Sequence, residues 1–299
     1  MSPKVVRNDV PRHMSSDCKV SIVILTKNAG PAFRQTLDQI SAQTIDGDFE
    51  LIIVDSGSSD GTAELLKNYP AQLYTIRPDE FNFGLTRNYG FSLAKGEYIV
   101  TLSQDVTFSN QHWLANIIKP FQDNEMIAAV QGVTDSSVNE DVFYWERNGL
   151  FYFTSETAKW MSKYKIGLSF VCCAIRRSIW EQNQIGYAPF SEDKLFQMKI
   201  HNKGYQVVVA RDAVCYHGHQ YNFKSLRTRL LGEGMGWRYV GLRYTFKECL
   251  EDIIRNKWLI RKSFQAFFKR ELNSMIELFF PLLRPILIYK GNRVSIDQR

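Results

Sequence analysis

Short apolar runs alternate along the chain with longer stretches in which apolar residues recur at helical spacing. The short runs, bounded by Gly, Pro, Asn and Asp, predict buried strands near 20–26, 50–55, 72–77, 97–102, 127–133, 170–175 and 206–216. Helices fill the gaps. The first is predicted from Pro31, whose fixed φ suits an opening turn, to about Gln43, with Phe33, Leu37 and Ile40 on one face. A second is predicted over Thr62 to Asn68, behind the capping cluster Ser58-Ser59-Asp60. Strand–helix alternation of this kind builds βαβ units and a mainly parallel central sheet flanked by helices, an α/β fold.

Two stretches depart from that rhythm. Asp141 to Lys165 is crowded with aromatics (among them Phe143, Trp145, Phe151, Trp160) without strand alternation, and is expected to form a helical or looped insertion. After Tyr221 the pattern is helical to the end. Its most apolar part, Met275 to Tyr289, contains Glu277, Arg284, Pro281 and Pro285 and falls short of the roughly 20 apolar residues a spanning helix needs. It fits an interfacial anchor or a buried packing helix, and the flanking Lys269, Arg270, Lys290 and Arg293 favour the anchor.

Composition adds little to the fold but sharpens the partners. With 44% apolar and 23% charged residues the chain is of ordinary globular make-up. The net charge of +6 is uneven: from Lys224 onward 16 Lys/Arg face 7 Asp/Glu. A basic, partly apolar carboxyl-terminal third suits a membrane surface, and no nucleic-acid-binding signature accompanies it. Met1 to Lys19 has no apolar core of signal-peptide length and reads as a loose leader, so a cytoplasmic location is expected, peripheral at the inner face of the cell membrane. Five cysteines without paired spacing, among them the vicinal Cys172-Cys173, read as reduced thiols in a core.

Candidate chemistry sits at strand ends. Asp105 follows the run Glu97 to Leu102, and the carboxyl edge of a parallel sheet is where α/β proteins bind ligands, so this acid suits a metal or phosphate site. Upstream stand Val20 to Thr26 and Leu51-Ile52-Ile53-Val54-Asp55-Ser56-Gly57-Ser58-Ser59-Asp60-Gly61; downstream stands Ser191-Glu192-Asp193. In that order the pieces resemble the glycosyltransferase family 2 enzymes, over about residues 20 to 220. Phe81-Asn82-Phe83-Gly84-Leu85-Thr86-Arg87-Asn88, then Gln104-Asp105 and Trp113-Leu114, is most similar to the rhamnosyltransferase branch, which usually writes Phe-Asn-His-Gly where this chain has Phe83.

The resemblance implies a GT-A fold, Rossmann-like, over 20–220, followed by a helical region at 221–299. It implies an inverting, metal-dependent transferase building a bacterial polysaccharide or glycolipid from a nucleotide-sugar donor, dTDP-L-rhamnose, onto a glycan or lipid-linked acceptor; a UDP-sugar donor is the alternative. Thr26 and Asp55 would line the base pocket, Asp55 binding the pyrimidine edge. Arg87 and Gln104 would complete the donor site. Asp105 would hold Mg2+ or Mn2+ together with the diphosphate and His217, or with His219 two residues on. Asp193 would be the base that deprotonates the acceptor hydroxyl. Simpler roles compete: Asp55 can cap its own Gly/Ser loop, and Glu192-Asp193 can cap a helix. A dinucleotide-binding dehydrogenase is disfavoured because Lys27-Asn28-Ala29-Gly30-Pro31, not Gly-x-Gly-x-x-Gly, follows the first strand. A non-catalytic sugar-binding protein is disfavoured by the joint presence of Asp55, Asp105, Asp193 and His217.

Overall fold

The computed structural model describes residues 18–294. Its strands are β1 (Cys18–Thr26), β2 (Asp48–Asp55), β3 (Ala71–Thr75), β4 (Tyr98–Leu102), β5 (Thr107–Phe108), β6 (Ile127–Asp135), β7 (Cys172–Arg176) and β8 (Gln206–Tyr216). They form one sheet in the order β3-β2-β1-β4-β7-β6-β8-β5. β3, β2, β1 and β4 run parallel, β7 turns antiparallel to β4, and β6 antiparallel to β7. All seven expected strands are present; β5 is an addition. The central strands read as unbroken apolar runs because helices cover both faces, so Val20, Ile22, Val23 and Ile24 are all buried.

The helices of the chain are α1 (Ala32–Ser41), α2 (Thr62–Leu66), α3 (Phe83–Ser92), α4 (Trp113–Ile118), α5 (Tyr144–Arg147), α6 (Ser155–Tyr164), α7 (Arg177–Gln182), α8 (Glu192–Asn202), α9 (Phe223–Tyr239), α10 (Phe246–Arg255), α11 (Lys257–Phe268) and α12 (Met275–Asn292). α1 buries Phe33, Leu37 and Ile40 as its spacing requires, two residues shorter at its end than expected, with Pro31 at its N-cap. By contacts the chain forms two units: residues up to Thr134 with Leu168–His217, and Asp135–Gly167 with the residues from Gly218 on. The aromatic segment therefore belongs with the carboxyl-terminal helices. Of the expected leader, Met1 to Lys19, only Cys18 and Lys19 fall among the described residues, and they open β1. All five cysteines are free thiols, four of them buried.

In the second unit α12 is the central helix, packed on α9, α10 and α11. It buries Phe280, Pro281, Leu287 and Ile288, and Phe280 meets Phe143, Trp145 and Phe151 at ring distances of 5.1, 5.8 and 5.0 Å. Arg284 is wholly buried: its Nη1 and Nη2 donate to Glu233 at 3.1 and 2.7 Å, and its guanidinium lies 5.0 Å from the Phe151 ring. The interfacial anchor expected at Met275–Tyr289 is thereby corrected. An all-round apolar helix reads the same in a core as at a membrane, and here a paired internal cation and the aromatic segment fix it in the core. Among the described residues no helix is long and apolar enough to cross a membrane.

Candidate active site

The parallel run of β1, β2 and β4 puts their carboxyl ends along one edge, and the sequence-predicted site residues of the first unit gather there in three groups. The first joins β1 to β2. Thr26 Oγ1 donates to Asp55 Oδ2 at 2.8 Å, and the same carboxylate accepts from the Ser58 hydroxyl and, through Oδ1, from the amides of Gly57 and Ser58 at 2.9 and 2.8 Å. A carboxylate offers about four lone-pair positions, so Asp55 is fully engaged in shaping its loop, and a base N–H would have to displace one hydroxyl. The capping role weighed from the sequence is thus present. The two loops are further laced together: the amides of Asn28, Ala29 and Gly30 donate to Ser58 Oγ, Thr62 Oγ1 and Asp60 Oδ2 at 2.7, 3.0 and 2.8 Å. A cleft of about 240 Å³ opens beside them, lined by Gly30, Pro31, Arg34, Asp60, Gly61, Thr62 and Leu65.

The second group forms beyond β4. Gln104 accepts from the Lys27 amide at 3.0 Å, tying this loop to the end of β1. Past it the chain enters β5, which pairs antiparallel with the end of β8, Thr107 opposite Tyr216. That register brings Asp105 to the residue after β8: Asp105 Oδ1 lies 3.3 Å from His217 Nε2. α1 supports the turn, because Thr36 Oγ1 donates to the carbonyls of Gln104 and Val106 at 3.2 and 2.9 Å and Gln39 Oε1 accepts the Phe108 amide at 2.6 Å. Sequence reading missed Thr36 and Gln39; polar residues on or beside the buried stripe of an amphipathic helix were the available signal. A carboxylate oxygen and an imidazole nitrogen this close, at the open edge of a sheet, are a donor pair that fits a divalent cation of the Mn2+ type. His219, two residues on, opens the second unit, where its amide donates to Glu146 Oε2 at 2.9 Å and its Nδ1 lies 3.6 Å from the same oxygen. Burial raises the Glu146 carboxyl, but His219 and the Tyr221 hydroxyl outweigh it and hold the group below the usual carboxylate range.

The third group explains the Phe81-to-Asn88 motif. Asn82 Oδ1 caps α3 by accepting the Leu85 amide at 3.1 Å and also accepts the Ala188 amide at 3.0 Å. Gly84 donates its amide to the Ala188 carbonyl at 3.0 Å, and a Cβ there would collide with the Gly186 carbonyl. Asn88 accepts from Trp180 Nε1 and the Ile185 amide at 3.1 and 3.0 Å. Arg87 is buried: its Nε donates to Glu192 at 3.0 Å, its Nη1 to Thr101 at 2.5 Å, and its guanidinium lies 5.0 Å from the Phe170 ring. Four motif residues therefore hold the segment leading into α8, whose first turn carries Glu192 and Asp193. Burial pushes the Glu192 carboxyl up, against the opposing pull of Arg87 and with a further push from Asp193. Ser191, the residue before α8, sits in the left-handed region at φ 54°, a backbone strain held by these contacts. Asp193 itself is mostly screened, its Oδ1 accepting the Lys194 amide at 2.7 Å. Arg87 is thereby paired with the Glu192 carboxylate.

A half-parallel sheet with acids at its carboxyl edge is the architecture of the GT-A class, and solved structures agree. A mannosyltransferase from Pyrobaculum calidifontis, in complex with GDP-Man and Mn2+, superposes with a TM-score of 0.53 at 17% identity, over 97% of this chain and 73% of that one. Glucosyl-3-phosphoglycerate synthase from Mycobacterium tuberculosis, in complex with Mn2+, UDP and phosphoglyceric acid, gives 0.56 at 16% over 75% and 79%. Residues 21–183 match the model of glycosyl transferase family 2, and the chain belongs to that family. It is 31% identical to the O-antigen chain rhamnosyltransferase RfbN of Salmonella typhimurium, over 68% of this chain and 67% of the relative. With WbaN of Salmonella anatum, also an O-antigen chain rhamnosyltransferase, identity is 29% over 67% and 66%. The protein is a glycosyltransferase.

Proposed function

We propose that this glycosyltransferase moves L-rhamnose from dTDP-L-rhamnose, with inversion, onto a hydroxyl of a glycan or lipid-linked acceptor in bacterial surface polysaccharide synthesis. The observation that supports the reading is the similarity to two O-antigen chain rhamnosyltransferases across two thirds of the chain. In this reading the laced loops around Thr26 and Asp55 take the nucleotide, with Gln104 fixing the floor between them. Asp105 and His217 would hold a divalent ion. When bound, the ion supplies positive charge to the departing diphosphate.

Asp193 accepts the proton of the acceptor hydroxyl as that oxygen forms its bond to the anomeric carbon. The bond from that carbon to the diphosphate oxygen breaks on the opposite face, its electron pair leaving with the dTDP, so a β-linked donor yields an α-L-rhamnoside. Arg87 does not touch the reaction here; it positions the helix that carries the base. The test is donor choice: the protein is incubated with dTDP-L-rhamnose, UDP-glucose, UDP-N-acetylglucosamine and GDP-mannose, each with and without Mn2+, measuring thermal protection and release of nucleotide. Selective, Mn2+-dependent protection and hydrolysis with dTDP-L-rhamnose supports the reading. The same response to a UDP-sugar alone replaces the donor and leaves the reaction class intact.

A further inference from the structure

We infer that the outward faces of α10 and α11 form a docking surface for an anionic lipid bilayer. An amphipathic helix on a protein ordinarily turns its apolar stripe inward. α10 does the reverse. Phe246, Leu250 and Ile254, spaced one helical turn apart, are exposed, Ile254 at 68%, while its buried residues are Cys249 and Asp252. The inward acid is accommodated: Asp252 Oδ2 accepts the Ser155 amide at 2.8 Å and the Tyr244 hydroxyl at 2.7 Å. The helix is therefore committed to showing its apolar side.

α11, packed beside it on α12, also exposes apolar side chains, with a different texture. Leu259, Ser263 and Ala266 are its buried residues, which leaves Lys257, Arg261, Phe264 and Phe268 along the opposite side at spacings of four, three and four, all exposed, Phe268 at 79%. Trp258 is half exposed between them. From Arg255 to Arg270 the chain carries six cations (Arg255, Lys257, Arg261, Lys262, Lys269, Arg270) and no acid. Both helices pack on α12, so the face is carried by the buried helix of the unit.

The interleaving selects the occupant. A second copy meeting this face about a two-fold axis would set cations against cations, and stable homodimer interfaces are depleted of charge at their centre. A headgroup layer instead takes aromatic rings at its apolar boundary and cations at its phosphates, which is the arrangement here. With no helix among the described residues able to span a bilayer, attachment through this face is peripheral. The inference deepens the proposed function by giving the acceptor a location, and rests on that reading only for the lipid-linked acceptor.

The test is flotation of the full chain with vesicles of phosphatidylglycerol and phosphatidylcholine, against vesicles of phosphatidylcholine alone, over a salt series. Selective flotation with the anionic vesicles, weakened by salt, is expected. Phe264→Ser with Phe268→Ser should lower partitioning at least tenfold, and Arg261→Glu about fivefold or more, as the loss of each cation near a charged surface requires. Because these side chains are exposed, thermal melts of the variants should match the parent, separating lost docking from lost folding. Absence of flotation, or flotation indifferent to the substitutions, overturns the proposal. So does a concentration-dependent dimer that Phe268→Ser dissolves in a protein that ignores vesicles. Donor protection on the same preparations reports separately on the transferase reading, since no substituted residue lies in the first unit.

Discussion

The Arg87–Glu192 pair links the sheet to the helix that carries Asp193, and removing one partner has a calculable consequence. Both side chains are about one-tenth exposed, and the bond between them is 3.0 Å. Replacing Arg87 with Met keeps the volume of the stem but leaves Glu192 buried without its counter-charge, a change that costs about 3–5 kcal/mol when the carboxylate stays ionised. Burial already pushes the Glu192 carboxyl up, and without Arg87 it climbs further. The folded variant then binds a proton that the unfolded chain has released, so its stability falls as pH rises above the ordinary carboxylate range, by at most about 1.4 kcal/mol per pH unit. The destabilisation relative to the parent is thus smaller at pH 5 than at pH 8. Urea unfolding at the two pH values measures this, and Glu192→Gln in the same chain should recover most of the loss at pH 8. Displacement of α8 should also lower turnover by one to two orders of magnitude while donor affinity holds, since misplacing a reacting group by about 1 Å suffices for that. A variant of parental stability whose donor affinity collapses would refute the positioning role and return Arg87 to the donor site.

Three other perturbations probe the site and the second unit. Asp105→Asn should abolish the metal-dependent part of donor binding, measured calorimetrically with and without EDTA; binding that remains chelator-sensitive at parental affinity contradicts the Asp105–His217 site. Asp193→Asn should keep donor affinity and lower transfer by about a hundredfold or more, as loss of a general base does, and equal loss of both would mark it as a structural cap. Burial raises Glu156 from 4.5 to about 7, an effect that Arg284 and the Thr154 hydroxyl oppose without cancelling. Between those values the folded state holds the extra proton, so stability falls by about 3 kcal/mol as pH rises from 4.5 through 7. Glu156→Gln should flatten that slope in denaturant melts, and an unchanged slope rejects the assignment.

What was legible in the sequence tracks how local each signal is. β1 and β2 announced themselves because strands covered on both faces are apolar throughout, and the acids at strand ends were visible as breaks in those runs. β5 was not legible: two residues carry no period, and its partner lies more than a hundred positions away along the chain. The resemblance supplied Arg87, but not its pairing with Glu192, which depends on how α3 and α8 meet rather than on either motif. The error over Met275–Tyr289 has the same origin. Hydropathy records that a surface leaves water, not what it meets, and the clue that decides, Arg284 closed onto Glu233, joins residues 51 apart in sequence. α10 illustrates the same limit, since its outward apolar stripe cannot be told from an inward one by pattern alone.

The two-residue ladder of β5 carries a kinetic implication. It lies at the margin of the sheet, closed by Thr107 and Phe108 against β8 and by the Ser109 amide on the Val214 carbonyl at 3.1 Å. Short edge ladders open far more readily than central strands. Asp105 and His217 therefore flank the seam of the sheet most prone to breathing, while Thr26 and Asp55 rest on its stiffest strands. Ordering of that seam on donor binding, and its loosening when the spent nucleotide departs, would make the amide-exchange rate of Ser109, whose N–H bonds across to Val214, a clock for the catalytic cycle.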